Sequence, residues 1–203
     1  MMLIQPLVQH ICFKGRRYRL NLSYDNVLRV FEVQREPLFN PAQCVQLAVE
    51  LLAGRRAGRL PLDQLSELLK AINAEFISPD VKPSKPGEPR VLDWLQDAAL
   101  IYAAFRQAYG IDLIKQRGRL DWRCFYALVQ GLPDDTRLRA VMGIRGRDIP
   151  EQNAHNAAQI QELMEAKAYY AIKVSDEEAQ ESFQAGIDRM AVALIGRAKK
   201  RGV

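Results

Sequence analysis

Residues 91–150 read VLDWLQDAALIYAAFRQAYGIDLIKQRGRLDWRCFYALVQGLPDDTRLRAVMGIRGRDIP, and the spacing of their apolar side chains decides the fold. Trp94, Ala98, Ile101 and Phe105 recur at i, i+4, i+7 and i+11, which places them on one face of a 3.6-residue helix. Leu95, Tyr102 and Tyr109 widen that stripe, and Asp93, Gln96, Asp97, Arg106 and Gln107 fall mostly off it. Gly110 then supplies a left-handed stop. Asp121 can cap a second helix that carries Trp122, Phe125, Leu128 and Val129 at helical spacing, with Gly131 and Pro133 ending it. Asp134 or Asp135 can cap a third, which turns Leu138, Val141 and Met142 inward. The expected structural core is therefore Trp94, Ile101, Phe105, Trp122, Phe125 and Leu128.

Upstream of this stretch, residues 78–90 contain Pro79, Pro83, Pro86 and Pro89. That density forbids a helix or an inner strand and predicts an extended, exposed linker. Before it, Pro61 opens an amphipathic helix with Leu65, Leu68, Leu69, Ile72 and Phe76 on one side, a pattern that predicts a core face. Asn40-Pro41 starts another helix with an Asn cap and a Pro at the first turn, carrying Val45, Ala48, Leu51 and Leu52 and ending at Gly54. Ser23 can cap a helix that buries Tyr24, Val27, Leu28 and Phe31. At the N-terminus, residues 8–22 alternate apolar and polar around Lys14-Gly15, the pattern of a two-stranded hairpin. His10 on that hairpin reads as an exposed strand residue, not a ligand. A hairpin of two strands is marginal alone and must pack on the helices or on another chain.

Downstream, residues 151–173 read as a helix with Ile160, Leu163, Met164, Ala171 and Val174 leaning to one side. Ser175-Asp176-Glu177-Glu178 has the form of a capping box. It introduces a last helix whose line of Ala179, Phe183, Ile187, Met190 and Leu194 is thinner than the central stripes. Phe183, Ile187, Met190 and Leu194 are accordingly the candidate partner-binding residues, the equal alternative being that this helix packs back on helix 151–173 as an antiparallel pair. The pattern as a whole predicts a mainly α multi-helix protein with an N-terminal β-hairpin. Its parts are the hairpin and first helices (1–77), the Pro-rich linker (78–90), the central aromatic helical core (91–150) and the C-terminal helices (151–203).

Composition bounds the function. A chain of 203 residues with 48% hydrophobic and 26% charged side chains is ordinary for a globular protein with a core. No apolar run reaches the ~20 residues of a bilayer span, and the N-terminus lacks a leader pattern, so no membrane role is expected. Cys12, Cys44 and Cys124 have no CxxC spacing and read as free, buried thiols in a reducing compartment. The net charge of +5 comes with short basic clusters at Arg16-Arg17, Arg55-Arg56 and Lys199-Lys200-Arg201. These clusters are scattered along the chain without a nucleic-acid motif, so solubility and attraction to acidic partners are the expected consequences.

The chemistry of catalysis is not spelled out anywhere. His10 and His155 lie far apart, and no GxSxG, HExxH, phosphate-loop or dinucleotide signature occurs. Asp93 reads as a helix start, Asp97 as the polar face of the same helix, and Asp134-Asp135 as charge at a helix N-terminus. No enzyme, no cofactor and no metal site is expected.

Several runs carry a family resemblance. DW-x-x-D-x-x-x-IYAAF-x-x-AYGIDL, LDW-x-x-F-x-ALV-x-GLP-x-DT-x-L and IRGRDIP resemble the bacteriophage gene-product-fifteen family of long-tailed phages. FKGRRYRL near the N-terminus and ELMEAKAYYAI resemble that family's hairpin and last helix, so the likeness spans residues 5–173. Where the family often carries paired tryptophans, this chain has Asp121-Trp122. The resemblance implies a tail morphogenesis protein, expected to be a tail assembly chaperone that binds the tape-measure protein or other tail proteins in the host cytoplasm, with self-association also open. A structural tail component of the virion is the alternative within phage biology. A basic nucleic-acid-binding module, the less expected reading, would differ by a steep salt dependence of binding.

Overall fold

The computed structural model describes residues 6–78, 89–153 and 156–173. Within them the order is β1 (His10–Phe13), β2 (Arg16–Arg19), α1 (Tyr24–Arg35), α2 (Pro41–Ala53), α3 (Leu62–Ile72), α4 (Ala98–Tyr109), α5 (Trp122–Gln130), α6 (Arg137–Gly146) and α7 (Ala157–Tyr169). The protein is mainly helical with an N-terminal antiparallel hairpin, as the periodicity predicts. Lys14 and Gly15 adopt φ of 47° and 75° in the hairpin turn, and the strands pair His10 with Arg19 and Ile11 with Tyr18. Two successive positive φ values give the twist that suits a two-residue connection between strands.

Ile11 and Tyr18 face inward and seat the hairpin on the helices. The chain leaving β2 then ties the molecule together. Asn21 N–H donates to Leu52 O at 2.8 Å, and the Asn26 amide donates to both Asn21 O and Leu51 O at 2.9 and 2.8 Å. Trp122 N–H donates to Leu22 O at 2.7 Å and Tyr24 N–H to Leu120 O at 2.9 Å, so the start of α1 and the start of α5 meet as a short antiparallel bridge. One buried cluster consequently runs from Ile11 to Leu138 and draws on both 1–77 and 91–150.

At its centre Phe105, Trp122 and Phe125 are fully buried, with Phe105 and Phe125 stacked at 5.3 Å and Tyr24 on Phe125 at 4.9 Å. Trp122 Nε1 donates to Ile77 O at 2.9 Å, which satisfies the one polar atom of its ring inside the core. Ile101 is buried too, whereas Trp94 and Leu128 pack at the edge of the cluster and stay partly exposed. The α3 stripe is a core face as expected, and it continues through a π-helical turn (Asn73–Ile77) that buries Phe76 and Ile77. Asn40 forms its cap with Gln43 in both directions, and Gly54 ends α2 with φ of 84°.

Other expectations are corrected. The central helix begins at Ala98, not near residue 92; Trp94 sits in the turn before it and Ala98 is exposed. Asp97 is not on a solvent face: it is 2% exposed and held by Arg145. Thr136, not Asp134 or Asp135, caps α6, its Oγ1 accepting from Arg139 N–H. Ser23 stands at the N-cap of α1, but its hydroxyl bonds Asn21 Oδ1 at 2.9 Å instead of the helix. The thiols are free but not buried; Cys12 is exposed, and Cys44 and Cys124 are partly so. His10 is half-buried, its Nδ1 3.2 Å from Arg17 Nη2. The helix expected over 151–173 spans only Ala157–Tyr169 as α7, which buries none of its side chains. Most of the Pro-rich stretch, His155 and the whole line of Phe183, Ile187, Met190 and Leu194 lie outside the described residues.

Candidate functional site

The clearest concavity among the described residues lies between α1 and α4. Residues four apart on a helix share a face, so Tyr24, Leu28 and Glu32 line one wall. Trp94, Leu95 and Ala98 line the other, where the chain turns into α4. Phe125 forms the floor and Ile114 closes one end, giving an open groove of about 450 Å³. Tyr24 OH donates to Leu113 O at 2.6 Å, and Asp25 Oδ1 accepts from Gly118 N–H at 2.8 Å. Those two bonds pin the segment after α4 against α1 and hold the groove's shape. Burial of the Tyr24 hydroxyl, with the Asp25 carboxylate beside it, raises its pKa and keeps it a neutral donor.

The groove pairs an apolar floor with a rim of both signs. Leu28, Trp94 and Tyr102 are half-buried and Ile114 is largely exposed, so apolar surface remains for a ligand to cover. Asp25 and Glu32 face it alongside Arg29 and Arg117. A groove with this lining suits an amphipathic helix that inserts apolar side chains at i, i+3 and i+4 and leaves its charged flanks in water. Of the expected core residues, Trp94, Ile101 and Phe125 reach this groove, whereas Phe105, Trp122 and Leu128 do not line it.

Two carboxylates missed as interior groups stand behind the groove. Asp93 receives Arg35 on both oxygens at 2.9 and 2.6 Å, Arg90 at 2.8 Å, and the backbone N–H groups of Leu95 and Gln96. Burial opposes its ionisation, but the Arg35 guanidinium and those two N–H groups outweigh burial and hold its carboxyl well below the usual carboxylate range. Asp97 receives Arg145 in a bidentate pair at 2.6 and 2.9 Å, while its Oδ2 also accepts Asp93 N–H at 2.9 Å. Arg145 donates further to Val91 O and Tyr170 O, and Lys167 Nζ reaches Arg145 O at 2.7 Å. The arrangement locks the turn before α4 to the ends of α6 and α7. It commits both carboxylates to arginine donors, which supports the groove wall. No sequence spacing reveals it, because Arg145 lies 48 residues from Asp97.

No cluster of three or more His, Cys, Asp and Glu side chains able to hold a metal occurs among the described residues, and none of their helices is long and apolar enough to cross a membrane. Burial, with Asp121 nearby, raises the pKa of the Cys124 thiol. Neither a curated protein nor a solved structure matches the chain. The family described as Bacteriophage Gp15 protein does match, over residues 3–172.

Proposed function

The chain belongs to the Bacteriophage Gp15 protein family, and from that premise we propose that it is a tail morphogenesis protein acting as a tail assembly chaperone. In this reading the α1–α4 groove holds an apolar helical stripe of the tape-measure protein in the host cytoplasm before the tail tube polymerises. The observation that carries the reading is the groove itself, an apolar trough with charged rims. A tape measure is a long helical chain, and many copies of a weak binder along one rod act together by avidity. The role is that of a binding protein, not an enzyme, and it needs no cofactor.

Co-expression with the tape-measure protein of the same phage tests it. Ala98→Glu places a carboxylate in the groove at the first position of α4, where negative charge suits the helix dipole and the fold is kept. Ile114→Glu does the same at the groove's end, at a side chain 58% exposed. The double variant is expected to melt as the parent does and to lose co-purification. Unchanged co-purification would remove the groove from the interaction. Mass spectrometry of purified virions separates the chaperone from a tail component: a chaperone is absent from finished particles, and stoichiometric presence would assign the structural role instead.

A further inference from the structure

The fold gathers arginines that the sequence scatters. The inner face of the hairpin carries Ile11 and Tyr18, so the outer face carries the cross-strand pairs His10–Arg19 and Cys12–Arg17. The Asn21–Leu52 hydrogen bond brings the end of β2 against the end of α2. There, Arg19 and Arg119 line one open polar cavity of about 480 Å³ together with the backbone of Gly54 and Gly118. Arg55 and Arg56 follow Gly54 directly in the turn after α2, and all five arginines of this flank are exposed. Among the described residues none of Arg17, Arg19, Arg55, Arg56 and Arg119 has a carboxylate within ion-pair distance. The one acid in the cavity, Asp121, is occupied by Arg123 at 2.8 Å.

We propose that this flank is a docking surface for the phosphate backbone of double-stranded nucleic acid, bound without regard to sequence. Phosphate oxygens are contacted by Arg side chains, by Asn, Gln and Ser side chains and by backbone N–H groups. The cavity offers the exposed amide side chains of Gln9 and Asn21 beside its two arginines. A protein partner would call for an apolar or aromatic anchor at the centre of the patch. Tyr18 is instead buried under the hairpin, and no exposed large hydrophobic lines the cavity. The same lack of an exposed ring argues for a duplex over a single strand, whose bases need a stacking platform.

Fluorescence anisotropy with short labelled DNA duplexes of unrelated sequence tests the proposal on the full chain. Binding is expected to be equal across sequences and to weaken roughly 100-fold between 50 and 200 mM salt, the change for about four neutralised phosphates. Arg19→Glu with Arg119→Glu is expected to weaken it at least 10-fold at unchanged melting temperature. Arg137→Glu with Arg147→Glu changes the net charge equally at exposed positions of α6 and its C-cap, and is expected to change little. Equal losses in the two double variants would reduce the effect to net charge and overturn the site. Absence of duplex binding, or tighter capture of polyglutamate than of duplex, would overturn it as well, the latter in favour of an acidic protein partner.

Discussion

At the residue scale the Asp97–Arg145 pair carries the sharpest consequence. Both side chains are almost fully buried, so removing one leaves the other's charge uncompensated, at a cost of about 3–5 kcal/mol. Arg145→Ala and Asp97→Ala are each expected to lower unfolding stability by that amount in urea titrations. The double variant should lose far less than the sum, because the lone buried charge disappears; additive losses would show that the two do not act as a pair. Asp93 gives a pH signature. Its folded-state pKa lies below the ordinary carboxylate value of ~4, so its contribution is present above that value and fades as pH falls below it. Stability should therefore decline from about pH 5 to pH 2, and Asp93→Asn should flatten part of that decline. An identical slope in the variant would move the acid sensitivity to other groups. These carboxylates were legible as residue types and illegible as sites, because their partners Arg35 and Arg145 lie 58 and 48 positions away. Periodicity marks which face a residue occupies and says nothing of an ion pair closing across helices.

At the scale of elements, the stripes translate into structure where a helix is long and capped by its own neighbours. The Asn40–Gln43 box, the α3 core face and the Asp121 cap of α5, which accepts from Arg123 N–H at 2.9 Å, follow directly from local sequence. The start of α4 does not, because Trp94 continues the 3.6-residue pattern while Asp93 turns the backbone with its own side chain. The two tryptophans consequently differ. Trp122 is 2% exposed with its Nε1 bonded, and its truncation to Ala should cost roughly 3–5 kcal/mol. Trp94 lies half-buried in the groove wall with its ring 5.2 Å from that of Trp122, so truncation forfeits only part of the roughly 1.5–3 kcal/mol of a full burial. Trp94→Ala is expected to harm partner binding more than folding, read as a loss of co-purification with a modest shift in the urea midpoint. A larger stability loss at Trp94 than at Trp122 would reverse the assignment of core and groove.

At the scale of the molecule, one core joins what composition divides. Pro-rich residues 78–90 separate two blocks of sequence, yet the bridge between Ser23 and Asp121 and the Trp122–Ile77 bond knit those blocks into a single buried cluster. Local patterns carry no information on such pairings, since each joins residues tens of positions apart. Every buried hydrophobic residue among those described lies from Ile11 to Val141, no buried side-chain polar atom among them lacks a partner, and α7 contributes no buried side chain. Beyond that core, α7 is held at its end by Arg145 on Tyr170 O and by Gln96, which donates to Ala171 O and accepts from Lys173 N–H. A chain ending at Lys173 keeps all of these bonds. It is therefore expected to melt within a few degrees of the full-length protein and to retain the groove, with co-purification of the tape-measure protein intact. If Phe183, Ile187, Met190 and Leu194 supply the docking surface instead, the same truncation abolishes co-purification at an unchanged melting temperature. An insoluble or unfolded truncation would place residues 174–203 in the core and refute the expectation that the fold closes without them.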